Sequence, residues 1–332
     1  MFLSNLNFSL FFTSLLTTLL ITFLAKPFFL RLGLVDIPNP RSNHNFPVAL
    51  GGGIIITLLI LSLGLYSKIS FSFTCYSVFI MLFAISLLDD IKNINATIRL
   101  LFHMLCVFLY VHNYLIDRVK EQLPELENHI YLAIYVFAII GITWFINGFN
   151  FMDGIDGITS IQVIFIMLAL IILESIFLFD NINHYLIILG VMFGFLFYNW
   201  HPAKIFLGDA GSIPLGFLMI YFLIELTLKG YWCAAIILSM YYFLDTTITL
   251  LKRIFNGKKF WQSHNDHFYQ IFVKKGNSHS KTCYYIITIS LGLFFFCLLS
   301  VLYKNNVAFL FLSLAWCLIF INHFSKSKSR EI

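Results

Sequence analysis

Acidic side chains are rare in this chain, and three groups of them stand where long apolar segments end. Only 16 of the 332 residues are Asp or Glu, whereas 60% are hydrophobic. A carboxylate inside a bilayer costs at least about 2.5 kcal/mol on insertion scales, so acids kept beside apolar segments indicate a functional site. Their oxygens suit Mg2+, or a phosphate that is approached through a metal.

The first group is the pair Asp89 and Asp90, followed by Asn93 and Arg99. Adjacent carboxylates that face one cavity would concentrate negative charge, as a site for Mg2+ or a metal-bound phosphate does. The alternative is a solvated pair of acids that ends a helix. Since the helix dipole disfavours acids at a helix C-terminus, we favour the functional interpretation.

The second group places four oxygen-bearing side chains at intervals of three residues, at Asn147, Asn150, Asp153 and Asp156. On a helix each neighbouring pair would share a face, and the nearby glycines make a partly unwound segment equally compatible. In either form the four side chains are predicted to face one cavity, as ligands of a hard cation. An EF-hand is excluded, because the twelve-residue loop with its terminal Glu is missing.

The third group is Asp209, which stands between Gly208 and an apolar segment that contains Ser212. The amides of a helix N-terminus can receive an anion, but Asp209 is equally compatible with a simple helix cap. Phe206 is available to stack on a base. Lys204 is interpreted either as a phosphate contact or as a positive charge that anchors the cytoplasmic side.

The basic segment 252–282 contains His264 and His267, followed by Tyr269 and Gln270. Two histidines three residues apart could ligate zinc, but no Cys and no third ligand of suitable spacing accompany them. We therefore interpret the histidines as donors to a nucleotide pyrophosphate, with the tyrosine and the glutamine adding neutral hydrogen bonds. Lys and Arg here also serve membrane topology, so no single charge in the segment is assigned a role.

The elements that must position these groups are membrane helices. Charged residues make up 11% of the chain, against about 25% in soluble domains. A span needs roughly 20 apolar residues. The predicted fold class is an all-α polytopic integral membrane protein, one domain over 1–332, with about eleven transmembrane helices at 8–25, 50–66, 71–88, 98–116, 130–148, 159–179, 184–199, 212–228, 231–251, 283–302 and 307–323. The six cysteines lie in or beside these spans and are interpreted as packing residues.

The distribution of Lys and Arg orients the spans. No Lys or Arg precedes the first span, which places the N-terminus outside, and alternation then puts 16 of the 21 Lys and Arg residues on one side. That excess marks the cytoplasmic side, which also receives every acidic group described above and the C-terminus. Cytoplasmic loops are predicted at about 26–50, 89–98, 147–158, 199–212 and 252–282. Attraction to anionic lipid explains the net charge of +5, so no nucleic-acid partner is predicted.

Two other classes of membrane protein also carry intramembrane acids. A cation-coupled transporter would place them near the bilayer midplane on broken helices, whereas these acids lie at helix ends. An intramembrane aspartyl protease needs two Asp residues that face each other inside the membrane. Asp209 superficially fits one of them, but its candidate partner within a span, Asp245, lacks a preceding Tyr.

Taken in order, the motifs resemble the polyprenyl-phosphate N-acetylhexosamine-1-phosphate transferases over nearly the whole chain. The matching residues are Asp89 and Asp90 with Asn93 and Arg99, then Asn147, Asn150, Asp153 and Asp156, then Gly208, Asp209 and Ser212, and finally the segment with His264 and His267. The resemblance implies that the phosphate of a polyprenyl lipid attacks the β-phosphate of a UDP-N-acetylhexosamine and releases UMP. It also implies an enzyme of the bacterial inner membrane, and it leaves a homodimer open.

The resemblance further implies a role for each matching residue. Asn150 and Asp209 would hold Mg2+, for which Mn2+ could substitute, and Asp89 and Asp90 would bind or deprotonate the lipid phosphate. The remaining residues would bind substrate: Asn93, Arg99, Asn147, Asp153, Asp156, Lys204, Phe206, His264 and His267. A metal that bridges phosphate oxygens neutralises much of the charge in such a transfer.

Two segments resemble the branch of this family that initiates O-antigen or capsule chains: Asp36 to His44 leading to Gly51–Gly53, and His264 to Gln270. The alternative is the phospho-N-acetylmuramoyl-pentapeptide branch, which carries a run of consecutive histidines that this chain lacks. Relatives commonly have Arg where this chain has Asn265, and Lys258 or Lys259 is expected to supply the charge. The glycine triplet would let the backbone approach either a neighbouring helix or a ligand.

Overall fold

Residues 8–38, 46–67, 72–178, 182–258 and 264–327 are described by the computed structural model. The helices are α1 (Phe8–Arg31), α2 (Gly52–Tyr66), α3 (Phe73–Lys92), α4 (Ala96–Tyr110), α5 (Ile116–Gln122), α6 (Asn128–Phe151), α7 (Ile158–Leu173), α8 (Asn183–Asn199), α9 (Asp209–Leu228), α10 (Trp232–Phe255), α11 (Phe268–Lys274), α12 (His279–Leu302) and α13 (Ala308–Lys326). A π-helical turn joins α4 to α5 at Val111–Leu115, and another extends α7 at Glu174–Leu178.

The helices confirm the predicted class, an all-α polytopic membrane protein. Within the described ranges, nine helices are long and apolar enough to cross a membrane, with α4 and α5 counted as one. The second and seventh predicted spans form the shorter apolar helices α2 and α8, of 15 and 17 residues. The exact count of eleven spans therefore stays a prediction.

Burial separates inner helices from outer ones. Helix α9 packs against α2, α3, α6 and α10, and α7 packs against α8 and α12. Both α7 and α9 are apolar around most of their circumference, as expected for helices that are enclosed by other helices. In contrast, α1 and α6 expose large apolar side chains such as Phe23 and Phe137, which are 64% and 73% exposed. These outer faces are suited to lipid.

A three-stranded sheet, which the sequence did not predict, lies beside the helices. It consists of β1 (Val35–Asp36), β2 (Val48–Leu50) and β3 (Ile205–Phe206). Strand β2 pairs antiparallel with β1 and parallel with β3, with Leu50 opposite Phe206. Two or three residues are too few to show an alternating pattern. The sheet joins the segment before α2 to the segment before α9.

The glycine triplet makes a close contact between helices. The Gly53 amide donates to the Leu207 carbonyl at 2.8 Å. A Cβ added to Gly53 would lie 2.1 Å from the backbone nitrogen of Gly211, so no side chain fits there. One turn later Thr57 Oγ1 donates to the Ala210 carbonyl at 3.2 Å. Helix α2 is thereby held against the start of α9.

Candidate active site

The turn between α3 and α4 brings Arg99 back onto Asp89. Asn93 ends α3 in a left-handed conformation, with φ of 50°, and α4 begins three residues later. The guanidinium of Arg99, on the first turn of α4, then contacts the Asp89 carboxylate. The other Asp89 oxygen accepts from the Ile94 amide at 2.7 Å. Asn93 itself is exposed, and its backbone closes the helix.

Arg99 also reaches across to the start of α9. Its Nη1 atom lies 2.5 Å from Oδ2 of Asp209, so one nitrogen bridges two carboxylates that are 120 residues apart in sequence. A charge-assisted hydrogen bond of this kind is about twice as strong as a neutral one. The first and third predicted groups therefore form one ionic cluster.

Asp90 caps α9 from the neighbouring helix. Its two carboxylate oxygens accept from the amides of Asp209 and Ala210, each at 3.0 Å. The dipole of α9 stabilises negative charge at its N-terminus, and this explains why the carboxylate of Asp90 is tolerated at the end of α3. Gly208 makes room for this contact, because a Cβ there would lie 2.7 Å from Asp90 Oδ2.

Asn150 adds a further oxygen beside the first turn of α9. Its Oδ1 accepts from the hydroxyl of Ser212 at 2.6 Å. One turn earlier on α6, Asn147 has its Oδ1 3.2 Å from Nδ1 of the buried His103. Helix α6 thus presents two amides, of which Asn150 faces the Asp209 helix and Asn147 faces α4.

Asp153 lies in the loop after α6 and is bound by the hydroxyl of Thr159 at 2.6 Å. Burial raises the pKa of Asp153 to about 8, although the Thr159 hydrogen bond acts in the opposite direction. The negative charges of Asp209, Asp90 and Asp156 raise the pKa further. A large part of Asp153 is therefore protonated at neutral pH.

Asp156 belongs to a different environment. Its Oδ2 lies 2.6 Å from Nδ1 of His201 and accepts from the Ala203 amide at 3.1 Å. Its Oδ1 lies 3.2 Å from Nδ1 of His279. Burial alone would raise the pKa of Asp156, but His279, His201 and the amide lower it below its usual range.

The structure thus divides the second predicted group between separate partners. The three-residue spacing predicts one shared face only while the helix continues, and α6 ends at Phe151. Asn147 and Asn150 lie on the helix, whereas Asp153 and Asp156 lie in the loop that follows. Each of the four side chains thus has its own hydrogen-bond partner, and the expectation that they face one cavity stays a prediction.

The segment with His264 and His267 is ordered by buried contacts. His267 precedes α11 in an extended conformation, and its Nδ1 lies 3.1 Å from Oδ1 of the fully buried Asp245. His264 stacks on His267 with 5.0 Å between ring centroids. Burial lowers the pKa of His264 to about 4, so this ring is neutral at pH 7. The neutral ring offers an ordinary hydrogen bond rather than a charge-assisted one.

Two neighbours of these histidines serve the fold. The hydroxyl of Tyr269 donates to the Phe151 carbonyl at 2.9 Å, and Gln270 is 6% exposed. The Tyr269 hydroxyl thus links α11 to the end of α6, and the expectation that Tyr269 and Gln270 contact a substrate stays a prediction. Arg253 pairs with Asp266, the residue after Asn265, and the expectation that Lys258 or Lys259 supplies the charge at Asn265 stays a prediction. Lys259 lies outside the described residues, as does the segment 39–45.

The remaining predicted residues lie on the strand β3 segment. Lys204 is exposed and its Nζ lies 5.6 Å from the centroid of the Phe197 ring, a cation–π distance that agrees with an anchoring role. Phe206 is half-buried in β3. Asn199, which the sequence did not indicate, accepts from the Gly157 amide at 2.9 Å and donates to the Ile205 carbonyl at 3.0 Å. Asn199 thereby links the loop before α7 to the segment before α9.

Sequence reasoning also missed His201, His279 and Asp245 as members of polar clusters. Asp245 did carry a signal, since an acid within a predicted span calls for a partner. The two histidines carried none, because their spacing from Asp156 is unrelated to any local motif. Among the described residues, Asp156, His201 and His279 are a group that could hold a metal ion, whereas Asn150 and Asp209 offer oxygen ligands only.

Comparison with known proteins finds one family model and several relatives that match this chain. The family model described as glycosyl transferase family 4 matches residues 72–227, which run from the start of α3 to the end of α9. The chain is similar to a probable undecaprenyl-phosphate N-acetylglucosaminyl 1-phosphate transferase of Bacillus subtilis, with 29% identity over 93% of this chain and 88% of the relative.

Further relatives belong to a second kind. The phospho-N-acetylmuramoyl-pentapeptide-transferase of Lactococcus lactis is 28% identical over 71% of this chain and 78% of its own. That of Streptococcus mutans is 32% identical over 37% of this chain and 36% of its own. Asp89, Asp90, Arg99, Asn150 and Asp209 all lie inside the matched region, and the matches together support the family of polyprenyl-phosphate hexosamine-1-phosphate transferases.

Proposed function

We propose that this chain transfers a sugar 1-phosphate from a UDP-N-acetylhexosamine to polyprenyl phosphate, releases UMP, and thereby initiates an O-antigen or another surface polysaccharide. The observation that carries the proposal is the contact of Arg99 with both Asp89 and Asp209. It joins the pair predicted to act on the lipid phosphate to the carboxylate predicted to hold the metal. Charged groups of both signs that are already in position can stabilise the charge on a phosphate during its transfer, because the protein does not have to rearrange them.

The names of the relatives support this substrate pair. The Bacillus subtilis relative is named for undecaprenyl phosphate and an N-acetylglucosaminyl 1-phosphate, and its similarity extends over 93% of this chain. The Lactococcus lactis relative is named for phospho-N-acetylmuramoyl-pentapeptide and covers 71%. The wider match and the lack of consecutive histidines favour an N-acetylhexosamine donor. Transfer of phospho-N-acetylmuramoyl-pentapeptide is the second candidate.

The donor set around α9 fits Mg2+. Asn150 and Asp209 offer oxygen ligands, which Mg2+ prefers, and Ser212 ties Asn150 to the helix turn on which Asp209 stands. A bound Mg2+ would neutralise the pyrophosphate of the donor. In this structure Arg99 is the counter-ion of both Asp209 and Asp89. When Mg2+ binds, we expect Arg99 to release one oxygen of Asp209 and to retain its contact with Asp89.

The protein residues then act mainly by position and charge. The second pKa of a phosphomonoester is about 6, so the attacking lipid phosphate is largely ionised at neutral pH and needs little base catalysis. Arg99 attracts this phosphate, and Asp89 holds Arg99 in place. Asp90 is a positioning residue, because both its oxygens are used to cap the helix that carries Asp209.

We further propose a multi-pass protein of the bacterial inner membrane with this site on the cytoplasmic face. The excess of Lys and Arg in the loops that carry the acidic groups supports that orientation. A homodimer stays a prediction from the family resemblance.

The test is release of UMP by the purified full-length protein in detergent with undecaprenyl phosphate. We expect UMP from UDP-N-acetylglucosamine or a related UDP-N-acetylhexosamine in the presence of Mg2+, loss of activity with EDTA, and recovery with Mg2+ or Mn2+. Asp117→Asn is the matched control, since this carboxylate is 69% exposed and lies on α5, beyond the end of α4 that is opposite Arg99. Activity only with UDP-N-acetylmuramoyl-pentapeptide would establish the second candidate, and no UMP with any UDP-sugar would refute the proposal.

A further inference from the structure

A second polar cluster lies apart from the proposed Mg2+ ligands, and we call Asp156, His201 and His279 the Asp–His–His cluster. Asp156 comes from the loop before α7, His201 from the segment before β3, and His279 is the first residue of α12. One ligand atom from each residue lies within 4.8 Å of the other two. Three segments that are distant in sequence thus supply one carboxylate and two imidazoles, which are ligands of transition metals.

One nitrogen of the Asp–His–His cluster faces the Asp156 carboxylate without a well-formed hydrogen bond. Nδ1 of His279 is buried and has no hydrogen-bond partner among the described residues, although it lies 3.2 Å from Oδ1 of Asp156. The two residues are 5% and 6% exposed. Burying a polar nitrogen without a well-formed hydrogen bond costs free energy, so a ligand that engages this nitrogen would offset that cost.

The separations agree with two ligands of one small cation. Zn2+ binds imidazole nitrogen and carboxylate oxygen at about 2.0–2.2 Å with tetrahedral angles, which puts neighbouring ligand atoms about 3.4 Å apart. The distance of 3.2 Å between His279 Nδ1 and Asp156 Oδ1 is close to that value. His201 Nδ1, at 2.6 Å from Oδ2, must move outward by less than about 1 Å, and its side chain is 37% exposed and has room to do so.

We propose that the Asp–His–His cluster binds one Zn2+ ion through Asp156, His201 and His279, with water in the fourth position. Imidazole ligands favour Zn2+, whereas Mg2+ favours the oxygen set at Asn150 and Asp209, so the two sites do not compete for one ion. The exposed side of His201 provides the entry path. Bound zinc ties the loop before α7 to the start of α12, and it stabilises the folded chain by mass action.

The first experiment uses the wild-type protein alone. Chelator-treated protein in detergent is titrated with Co2+ and then with Zn2+, in buffer that contains millimolar Mg2+. We expect a visible absorption band of four-coordinate Co2+ that Zn2+ abolishes, one equivalent of zinc by elemental analysis after dialysis, and a rise in Tm with Zn2+. Folded wild-type protein that binds neither ion under these conditions overturns the proposal, and the imidazoles then serve only as polar neighbours of Asp156.

The second experiment places the ion. His279→Ala and His201→Ala should each weaken Zn2+ binding by at least about 100-fold. His129→Ala is the matched control, because His129 Nδ1 lies 3.1 Å from the Glu127 carboxylate in an exposed pair that lacks a third ligand. Wild-type zinc affinity in both cluster variants would show that the ion binds elsewhere, and this result also refutes the proposal.

Discussion

Replacing Asp90 by Asn separates a positioning role from a direct role in catalysis. In the structure the two oxygens of Asp90 accept from the amides of Asp209 and Ala210 at 3.0 Å each. Asn has a single oxygen, so its NH2 group must face one of these amides, donor against donor. The variant therefore loses one hydrogen bond to a charged group and the attraction between the carboxylate and the dipole of α9.

The size of the effect follows from these two losses. A hydrogen bond to a charged group contributes about 1.5–3 kcal/mol, and an anion at a helix N-terminus contributes about 0.3–1 kcal/mol. Relief of repulsion from the neighbouring carboxylates offsets part of this loss. We expect Asp90→Asn to lower the free energy of unfolding by about 2 kcal/mol, which corresponds to a Tm lower by about 4 °C.

The assay is thermal unfolding in detergent together with UMP release. We expect kcat to fall about 10- to 100-fold because Asp209 is displaced, while the KM for the UDP-sugar changes little. Asp117→Asn, which changes an exposed carboxylate, should leave both Tm and kcat unchanged. An inactive Asp90→Asn protein with the wild-type Tm would refute the positioning argument, because a residue that acts only on the lipid phosphate has no reason to stabilise α9.

Four further outcomes are expected. Asp209→Asn should reduce turnover at least about 100-fold at saturating Mg2+, which corresponds to an activation barrier higher by about 2.7 kcal/mol. Turnover within a few-fold of wild type would show that Asp209 is not a metal ligand. Because the pKa of Asp153 is raised to about 8, protonation of this carboxyl favours the folded state, and the stability of the protein falls as pH rises from about 4 to above 8. Asp153→Asn should therefore raise Tm at alkaline pH and lose this advantage near pH 4. A Tm difference that does not depend on pH would contradict the pKa shift. Gly53→Ala should abolish stable folding, since its Cβ would lie 2.1 Å from a backbone nitrogen, whereas Gly141→Ala, with nothing within 4 Å, should fold normally in the same fluorescence-detected gel filtration. His264→Gln should raise the KM for the UDP-sugar more than that for the lipid without altering the pH profile between about pH 5 and 8, because the pKa of His264 is about 4 and its ring is neutral there.

Much of the fold could be predicted, because long runs of apolar residues indicate membrane helices. Each predicted span has an apolar helix at its position, including α2 and α8, which are shorter than a usual span. The strands could not be predicted, since a pair such as Val35 and Asp36 has no periodicity. The end of α6 lies within a few residues of the predicted span end, but the sequence left open whether 147–156 stays helical, so the separation of Asn150 from Asp153 could not be predicted.

In the candidate site, residue types were more predictable than partners. Asp89, Asp90 and Asp209 stand out in an apolar sequence, but nothing in their spacing says that Arg99 bridges two of them and that Asp90 caps α9. Those contacts depend on the angle at which α3 and α4 meet α9. A local motif cannot encode that angle, because it results from packing along the whole length of the helices.

The start of α9 is fixed from three directions at once, by Gly53 of α2, Asp90 of α3 and Asn150 of α6. A rigid anchor of this kind confines motion during turnover to other parts of the site. We expect substrate entry and product release to involve groups outside this anchor, such as the Arg99 side chain or the segment around His264. The affinity for metal and the rate of product release can therefore vary separately among relatives, because changes in the outer segment leave the geometry at Asp209 intact.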